Sequence, residues 1–182
     1  MLNDSKTDKL LEDAHIKLRA PEPEDLEVLF LWENDTDVWR YGSAISPYSR
    51  YLLKQYIADA QVDVFQSKQL RFMIVLAEEN VAIGTVDLYD FDPINSRAGV
   101  GIYIDCAYRK KHYATRALLL LERYVFEFLK INQLYAIIPE TNNASLRLFL
   151  QSNFIKAGVL YQWISGDNRF EDAIIVQKIK EQ

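Results

Sequence analysis

A run of basic residues stands immediately before the most regular amphipathic segment of the chain. Arg109, Lys110, Lys111 and His112 are consecutive. The hydrophobic periodicity of the segment that follows predicts a helix over residues 113–130. The N–H groups in the first turn of a helix have no partner inside the helix, and together with the helix dipole they favour a bound phosphate. The run therefore indicates an anion site, with a solvated basic turn as the simpler alternative.

Composition limits what that anion can be. The chain has 182 residues and a net charge of −5, which disfavours a general nucleic-acid binder. One cysteine, Cys106, excludes an intrachain disulfide, and two distant histidines, His15 and His112, offer no metal-binding spacing, so we expect a cytoplasmic protein without a metal. No apolar run approaches the roughly 20 residues that span a bilayer, so no membrane partner is expected. The anion should be small and locally held.

Hydrophobic periodicity predicts the element order βααβββαβαββ over a single domain at residues 15–180, after a polar arm at residues 1–14. The predicted strands cover residues 16–19, 71–77, 81–89, 98–105, 134–138, 154–161 and 169–177, and the predicted helices cover 21–34, 49–65, 113–130 and 144–151. This order predicts an α/β (α+β) fold in which helices flank a mixed, mostly antiparallel central sheet.

The segment from Asp105 to Leu118 resembles motif A of the GNAT N-acetyltransferase superfamily, whose pattern is Arg/Gln-x-x-Gly-x-Gly/Ala. Arg109 and Ala114 match the ends of this pattern, and His112 stands where the family has its middle glycine. The similarity extends over nearly the whole chain, towards the branch of spermidine and ribosomal-protein N-acetyltransferases. It implies a GNAT fold and the transfer of an acetyl group from acetyl-CoA to a primary amine on a small molecule or peptide.

The resemblance also implies which residues contact the co-substrate. The loop before the central helix would hold the pyrophosphate, main-chain amides of one strand would polarise the acetyl carbonyl and pair with the pantetheine arm, and the asparagine that begins the next helix would contribute as well. The residues are Arg109, Lys110, Lys111, His112, Tyr113, Ala114 and Thr115 in the loop, Ile102, Tyr103 and Ile104 in the strand, and Asn142.

A candidate general base lies on the predicted strand at 81–89. Asp87 lies between the apolar residues Val86 and Leu88 and matches a glutamate of similar polyamine acetyltransferases. A carboxylate on the solvent side of an alternating strand explains it without catalysis. Glu140, just beyond the strand at 134–138, is the reserve candidate.

The proton donor is less well defined. The family pattern Asn-x-x-Ser-x-x-Leu-Tyr-x-x-x-Gly-Phe has Phe149 in place of its tyrosine and Asn153 in place of its glycine. Tyr108, Ser145 or water are the alternatives for protonating the thiolate. Cys106 is expected to be a buried structural thiol rather than a nucleophile, because no histidine lies near it in sequence.

Two further expectations concern partners. Acidic residues of the N-terminal half would attract a cationic amine, but the loop at 42–47 lacks the paired acids of similar polyamine enzymes, which weakens spermidine specifically. The hydrophobic C-terminal hairpin suggests a homodimer. The departures from the family pattern leave a different class open: a domain that binds acyl-CoA or an amine without turnover.

Overall fold

The fold is built on one seven-stranded sheet. The computed structural model describes residues 10–39, 46–59, 63–166 and 169–180. The strands are β1 (Ile16–Arg19), β2 (Leu70–Leu76), β3 (Ala82–Asp92), β4 (Arg97–Ile104), β5 (Gln133–Pro139), β6 (Ile155–Ser165) and β7 (Phe170–Ile179). Their order in the sheet is β1-β2-β3-β4-β5-β7-β6, and among the described pairs only β4 and β5 run parallel. The predicted mixed, mostly antiparallel sheet is confirmed.

Helices cover both faces of this sheet. They are α1 (Leu26–Glu33), α2 (Thr36–Trp39), α3 (Arg50–Asp59), α4 (Val64–Ser67), α5 (Tyr113–Arg123) and α6 (Asn143–Gln151), and a π-helical turn (Tyr124–Phe128) continues α5. No helix in these described ranges is both long and apolar enough to cross a bilayer.

The single helix predicted over 49–65 is wrong near its end, because Asp63 is not helical; residues 60–62 lie outside the described ranges. Helix α3 ends at Asp59, and Asp63 begins a separate helix, α4, by accepting a hydrogen bond from the Phe65 N–H at 2.8 Å. An aspartate caps the first turn of a helix better than it occupies the interior, because its side chain competes for backbone N–H groups. The apolar spacing continued across this boundary and concealed it.

The two faces of the sheet bury different clusters. On one face α5 packs its buried residues, Leu118 and Leu121 among them, against Ile74 and Val86 of the sheet. On the other face Leu29 and Trp32 of α1 pack against β2 in a smaller cluster. The smaller cluster extends to Ala82 on β3 and Tyr103 on β4, and none of its members lies on β5.

Strands β4 and β5 separate shortly after they begin to pair. Their register contains only three pairs, and the last joins Gly99 to Tyr135. Each strand then continues, β4 to Ile104 with β3 as its partner and β5 to Pro139 with β7. A wedge-shaped gap therefore opens in the middle of the sheet, and we call it the β4–β5 gap.

The last residues of the predicted N-terminal arm contact the domain. The Leu18 N–H donates to the Leu11 carbonyl at 2.7 Å, and Leu11 packs against the larger core cluster. Asp13 forms an ion pair of 2.9 Å with Arg116 on α5. Residues 1–9 of the arm lie outside the described ranges.

Candidate active site

The β4–β5 gap exposes main-chain groups of β4. The Asp105 N–H donates to the Ile83 carbonyl on β3 at 2.9 Å, and this bond sets the direction of every second peptide group along β4. By this alternation Tyr103 also directs its N–H and C=O at β3, whereas Ile102 and Ile104 direct theirs into the gap. An extended ligand in the gap can therefore pair with Ile102 and with the N–H of Ile104, but not with the main chain of Tyr103.

At the mouth of the gap the basic loop turns sharply into α5. Lys110 and His112 both have a φ of 63°, in the left-handed region. His112 is the N-cap residue of α5, and its exposed ring makes no capping hydrogen bond. The first-turn N–H groups, those of Tyr113, Ala114 and Thr115, have no partner within the helix and are positioned for an anion.

The basic side chains of this loop do not all point at the helix start. Arg109 Nε donates to the Ile104 carbonyl at 2.9 Å, and its guanidinium lies 5.9 Å from the centre of the Tyr103 ring. Lys111 Nζ lies 5.4 Å from the centre of the Tyr108 ring. Arg109 thus fastens the loop to the end of β4, while Lys111 remains exposed and can turn towards a bound anion.

The left-handed conformation of His112 predicts a gain in stability on substitution. A residue with a Cβ loses roughly 1–2 kcal/mol in this region compared with glycine, and glycine returns part of that gain as extra entropy of the unfolded chain. We expect His112→Gly to raise the free energy of unfolding by about 0.5–1 kcal/mol, measured by urea denaturation. Ala114→Gly, in the first turn of the helix, should change it in the opposite direction. Equal effects of both substitutions would contradict this assignment of strain.

A cluster of charges lies on the face of the sheet that α1 and α3 partly cover. Arg71 on β2 is opposite Asp87 on β3, and its guanidinium donates to both carboxylate oxygens at 2.7 and 3.1 Å. It also forms an ion pair with Glu33 at the end of α1. The guanidinium lies 5.4 Å from the centre of the Tyr56 ring on α3. We call Arg71, Asp87, Glu33 and Tyr56 the acidic cluster.

One permanent positive charge holds two carboxylates in this cluster. Burial alone would lower the pKa of Arg71, but its interactions with Asp87 and Glu33 raise that pKa well above the usual value. Arg71 therefore stays protonated, and the three charged groups sum to a net charge of −1. Their side chains keep 20–25% exposure, so a ligand can reach them.

Asp87 faces a part of β4 that has no side chains. It is opposite Gly101, and a Cβ built on Gly101 would lie 3.9 Å from Asp87 Oδ2. Gly101 therefore leaves free space beside the carboxylate. This space lies between the acidic cluster and Ile102, whose main chain faces the gap. This arrangement puts a candidate proton acceptor next to the main-chain donor that a carbonyl oxygen would use.

The narrow end of the gap is filled by a tyrosine from β3. The Tyr89 ring lies directly on Gly99, where a Cβ would come within 2.2 Å of it, and it packs edge-on against Tyr135 at 5.9 Å. The pairing of Glu140 with β7 directs the main chain of Ile137 into the gap, and the Ile137 N–H lies close enough to the Tyr89 hydroxyl to oppose part of the rise in its pKa. The phenol is therefore near the position that a β4 carbonyl would occupy if the two strands stayed paired.

The buried phenol predicts a loss of stability in alkali. Burial and the neighbouring Tyr135 raise the pKa of Tyr89 from 10.0 to about 12. The unfolded chain therefore releases this proton near pH 10, whereas the folded chain retains it. The contribution of Tyr89 to the free energy of unfolding is fully present below pH 10 and is lost as the pH rises to about 12. Urea denaturation at several pH values should show a smaller fall for Tyr89→Phe than for the unchanged protein. Tyr51→Phe, on the exposed face of α3, should match the unchanged protein, and an equal fall in all three would contradict the assignment.

The reserve base and the capping asparagine lie elsewhere along the gap. Glu140 is exposed directly after β5, where its N–H pairs with Asp172 of β7. Asn142 caps α6, and its side-chain oxygen accepts a hydrogen bond from the Ser145 N–H at 3.1 Å. The structure therefore does not bring either residue into the acidic cluster that holds Asp87.

The surroundings differ among Tyr108, the possible proton donor, Phe149, which replaces the family tyrosine, and Cys106, the thiol predicted to be buried. Tyr108 is half-buried at the end of a 3₁₀ turn (Cys106–Tyr108) that leads into the basic loop. Phe149 is 2% exposed and packs edge-on against Phe154 at 5.0 Å, so the ring that replaces the family tyrosine belongs to the core. The expectation of a buried Cys106 is wrong, because this short turn holds its thiol at the surface.

The acids of the N-terminal half divide between structural and site positions. Asp25 is buried in an ion pair with Arg19, and Glu27 pairs with Arg50 at the surface. Glu33 alone of these three joins the acidic cluster. Residues 42–45 of the loop at 42–47 lie outside the described ranges. Within those ranges no group of three or more histidine, cysteine, aspartate or glutamate side chains is arranged to hold a metal ion.

Comparison with known proteins agrees with this geometry. The Acetyltransferase (GNAT) domain model matches residues 15–155. The spermidine N(1)-acetyltransferase of Escherichia coli K12 is 27% identical over 165 residues, which cover 90% of this chain and 86% of that protein. The spermidine N-acetyltransferase of Vibrio cholerae in complex with CoA and spermine superposes with a TM-score of 0.82 at 21% identity, over 92% of this chain and 96% of that one. The ribosomal-protein-S5-alanine acetyltransferase of Vibrio fischeri superposes with a TM-score of 0.80 at 20% identity, over 94% of this chain and 96% of that one.

A sheet split between parallel strands, with a helix start at its mouth, is the fold that this chain shares with these acetyltransferase structures. The family model and the N-acetyltransferase relatives identify the chain as an enzyme of the N-acetyltransferase class. The family model covers well over half of the chain, and the chain belongs to the GNAT acetyltransferase family. The predicted family and fold are therefore confirmed.

Proposed function

We propose that this enzyme transfers an acetyl group from acetyl-CoA directly to the primary amine of a small-molecule or peptide acceptor in the cytoplasm. The observation that carries the proposal is the open edge of β4, where Ile102 and Ile104 direct main-chain groups into the β4–β5 gap. Family membership and the CoA bound by the similar Vibrio cholerae enzyme support it.

Two features of the chain fit a CoA thioester. The gap offers strand-like pairing to an extended amide chain such as the pantetheine arm. At the mouth of the gap the N–H groups of Tyr113, Ala114 and Thr115 would hold the pyrophosphate, with charge from Lys110 and Lys111. The His112 ring is exposed beside them and can donate a hydrogen bond to the same group.

The chemistry requires a polarised carbonyl and a neutral amine. When bound, acetyl-CoA supplies an activated acetyl thioester. The Ile102 N–H donates a hydrogen bond to the carbonyl oxygen and stabilises negative charge there. Asp87 accepts a hydrogen bond from the acceptor nitrogen and takes a proton from it. Tyr108, at the mouth of the gap, or a water molecule returns a proton to the departing thiolate.

The acidic cluster favours a cationic acceptor. Asp87 and Glu33 outnumber the single guanidinium of Arg71, so the cluster attracts the ammonium form of an amine before its deprotonation. The similar Vibrio cholerae structure contains spermine. We propose an aliphatic amine with one further positive charge, which a polyamine or a lysine-containing peptide both provide.

Turnover and binding are measured side by side to test this function. Release of CoA thiol is followed over a panel of polyamines, monoamines and peptide amines, and the melting temperature is followed with acetyl-CoA alone. Thiol release that depends on one amine class supports the proposal. A raised melting temperature without thiol release would instead identify a binding domain, and no response in either measurement would exclude both functions.

We also propose a homodimer through the C-terminal hairpin. Strand β6 is an edge strand, and large apolar side chains on the hairpin are exposed: Tyr161 by 78%, Phe170 by 62% and Trp163 by 59%. Exposed apolar groups beside an unpaired strand edge are typical of an interface. Sedimentation equilibrium of Trp163→Lys against the unchanged protein measures the association, and an unchanged mass would exclude this surface.

A further inference from the structure

The Tyr89 side chain closes the narrow end of the β4–β5 gap in a way that the acetyl transfer described above does not require. Its ring occupies the space that any side chain at position 99 would fill, since a Cβ on Gly99 would lie 2.2 Å from ring carbon Cε2. Tyr135 supports the ring edge-on from β5 at 5.9 Å. The two rings therefore span the gap at the point where the β4–β5 pairing ends.

Glycine at position 99 allows the ring to lie in this position. A side chain at position 99 would collide with the ring, so glycine lets the ring extend from β3 across β4 towards β5. The Ile137 N–H faces the gap from β5, close enough to the Tyr89 hydroxyl to oppose part of the rise in its pKa. The closure thus extends from Gly99 beneath the ring to Ile137 near its tip.

The acyl group would extend towards this closure. The helix start that would hold the pyrophosphate is at the wide mouth of the gap, so a CoA arm enters there and runs towards the narrow end. Its thioester carbonyl would meet the Ile102 N–H, and the acyl chain would continue towards Gly99. These positions are three residues apart, about 10 Å along a strand, and the ring on Gly99 occupies part of that length.

We propose that Tyr89, seated on Gly99 and supported by Tyr135, limits the length of the acyl group that the enzyme transfers. This inference rests on the proposed function of the same gap. A two-carbon acyl group ends before the ring, whereas each added methylene brings the chain closer to it. Tyr89 is on this view a specificity-determining residue rather than a catalytic one, since it contacts the far end of the acyl group and not the reacting atoms.

The test compares kcat/KM for acetyl-, propionyl-, butyryl- and hexanoyl-CoA with one amine acceptor. Tyr89→Ala should raise the ratio of butyryl to acetyl turnover at least tenfold, because one methylene in a fitted pocket is worth about 10–200-fold in discrimination. Tyr89→Phe keeps the ring and should leave the ratio within about twofold of the unchanged protein. Tyr51→Ala, which removes an exposed tyrosine from α3, is the matched control and should also leave it unchanged.

The outcomes separate this inference from the function on which it rests. A folded Tyr89→Ala enzyme with an unchanged acyl ratio would overturn the inference while leaving acetyl transfer intact. If Tyr89→Ala does not fold, Tyr89→Leu and Tyr135→Ala answer the same question through the same ratio. If the unchanged protein binds acyl-CoA but transfers nothing, the proposed function fails. The inference then predicts that Tyr89→Ala raises the affinity for butyryl-CoA relative to acetyl-CoA, and an unchanged ratio of affinities would overturn it. Absence of any acyl-CoA binding would overturn both.

Discussion

Asp87→Asn is expected to lower kcat/KM with the best amine acceptor by about 10²–10⁴-fold, the range that removal of a general base produces. The amide keeps the size of the carboxylate and its position beside Gly101, and it still accepts a hydrogen bond from Arg71. It cannot take a proton from the acceptor nitrogen. The loss should therefore appear mainly in kcat, measured by thiol release at saturating acetyl-CoA.

Two comparisons make this prediction specific. Glu140→Gln changes the exposed reserve carboxylate after β5 and should leave kcat/KM near that of the unchanged enzyme. Glu33→Gln removes a carboxylate from the acidic cluster without touching the proposed base, and should raise KM for a cationic amine more than it lowers kcat. If Glu140→Gln abolishes turnover while Asp87→Asn retains it, the two carboxylates exchange roles. Melting temperatures of all three variants identify any loss caused by unfolding alone.

The elements with strong periodicity were predicted well because their pattern is local. Helix α5 and its π-helical continuation end at Phe128, close to the predicted boundary at 130, since the apolar stripe along this segment is regular. The alternating run around Asp87 predicted a strand in which that carboxylate is on one face. Which face it is, and what lies opposite, depends on the pairing of β3 with β2 and β4, which no local pattern contains.

The parts that could not be predicted depend on contacts between distant segments. Arg71 is a single charged residue in an apolar strand, and only the fold brings it onto Asp87 and Glu33. Tyr89 stands in the alternating pattern of an ordinary strand. Its ring extends over Gly99 towards Ile137, and this requires the separation of β4 from β5. A polar residue within a buried strand was the available signal for Arg71, and no comparable signal marked Tyr89.

The two residues that replace family glycines keep a glycine-like backbone. His112 has a φ of 63° before α5, and Asn153 has a φ of 65° after α6. Asparagine is a common residue in this region directly after a helix, whereas His112 adopts it at a helix start, so we assign the greater strain to His112. The loop at the mouth of the gap therefore has the turn that the family pattern implies, and the substitution affects its stability more than its path.

Ile102→Pro is expected to lower kcat by about 10²–10³-fold, the effect of removing one hydrogen-bond donor to a developing oxyanion. Proline removes only the N–H that points into the gap, because the β3 side of the ladder uses the peptide groups of Tyr103 and Asp105. A strand tolerates proline where its N–H has no partner strand. Ile104→Pro is the matched control: its N–H also faces the gap, but nearer the mouth, where it would pair with the pantetheine arm.

The two proline variants should therefore separate binding from chemistry. Ile104→Pro should raise KM for acetyl-CoA with a smaller change in kcat, whereas Ile102→Pro should lower kcat with a smaller change in KM. Because both residues are on the same open edge, any general damage to β4 would lower the melting temperature of both alike. Full turnover by a folded Ile102→Pro enzyme would mean that the carbonyl oxygen takes its hydrogen bond elsewhere. An equal loss of kcat in both variants would mean that the edge of β4 acts as a unit, and the assignment of the oxyanion donor to Ile102 would then be wrong.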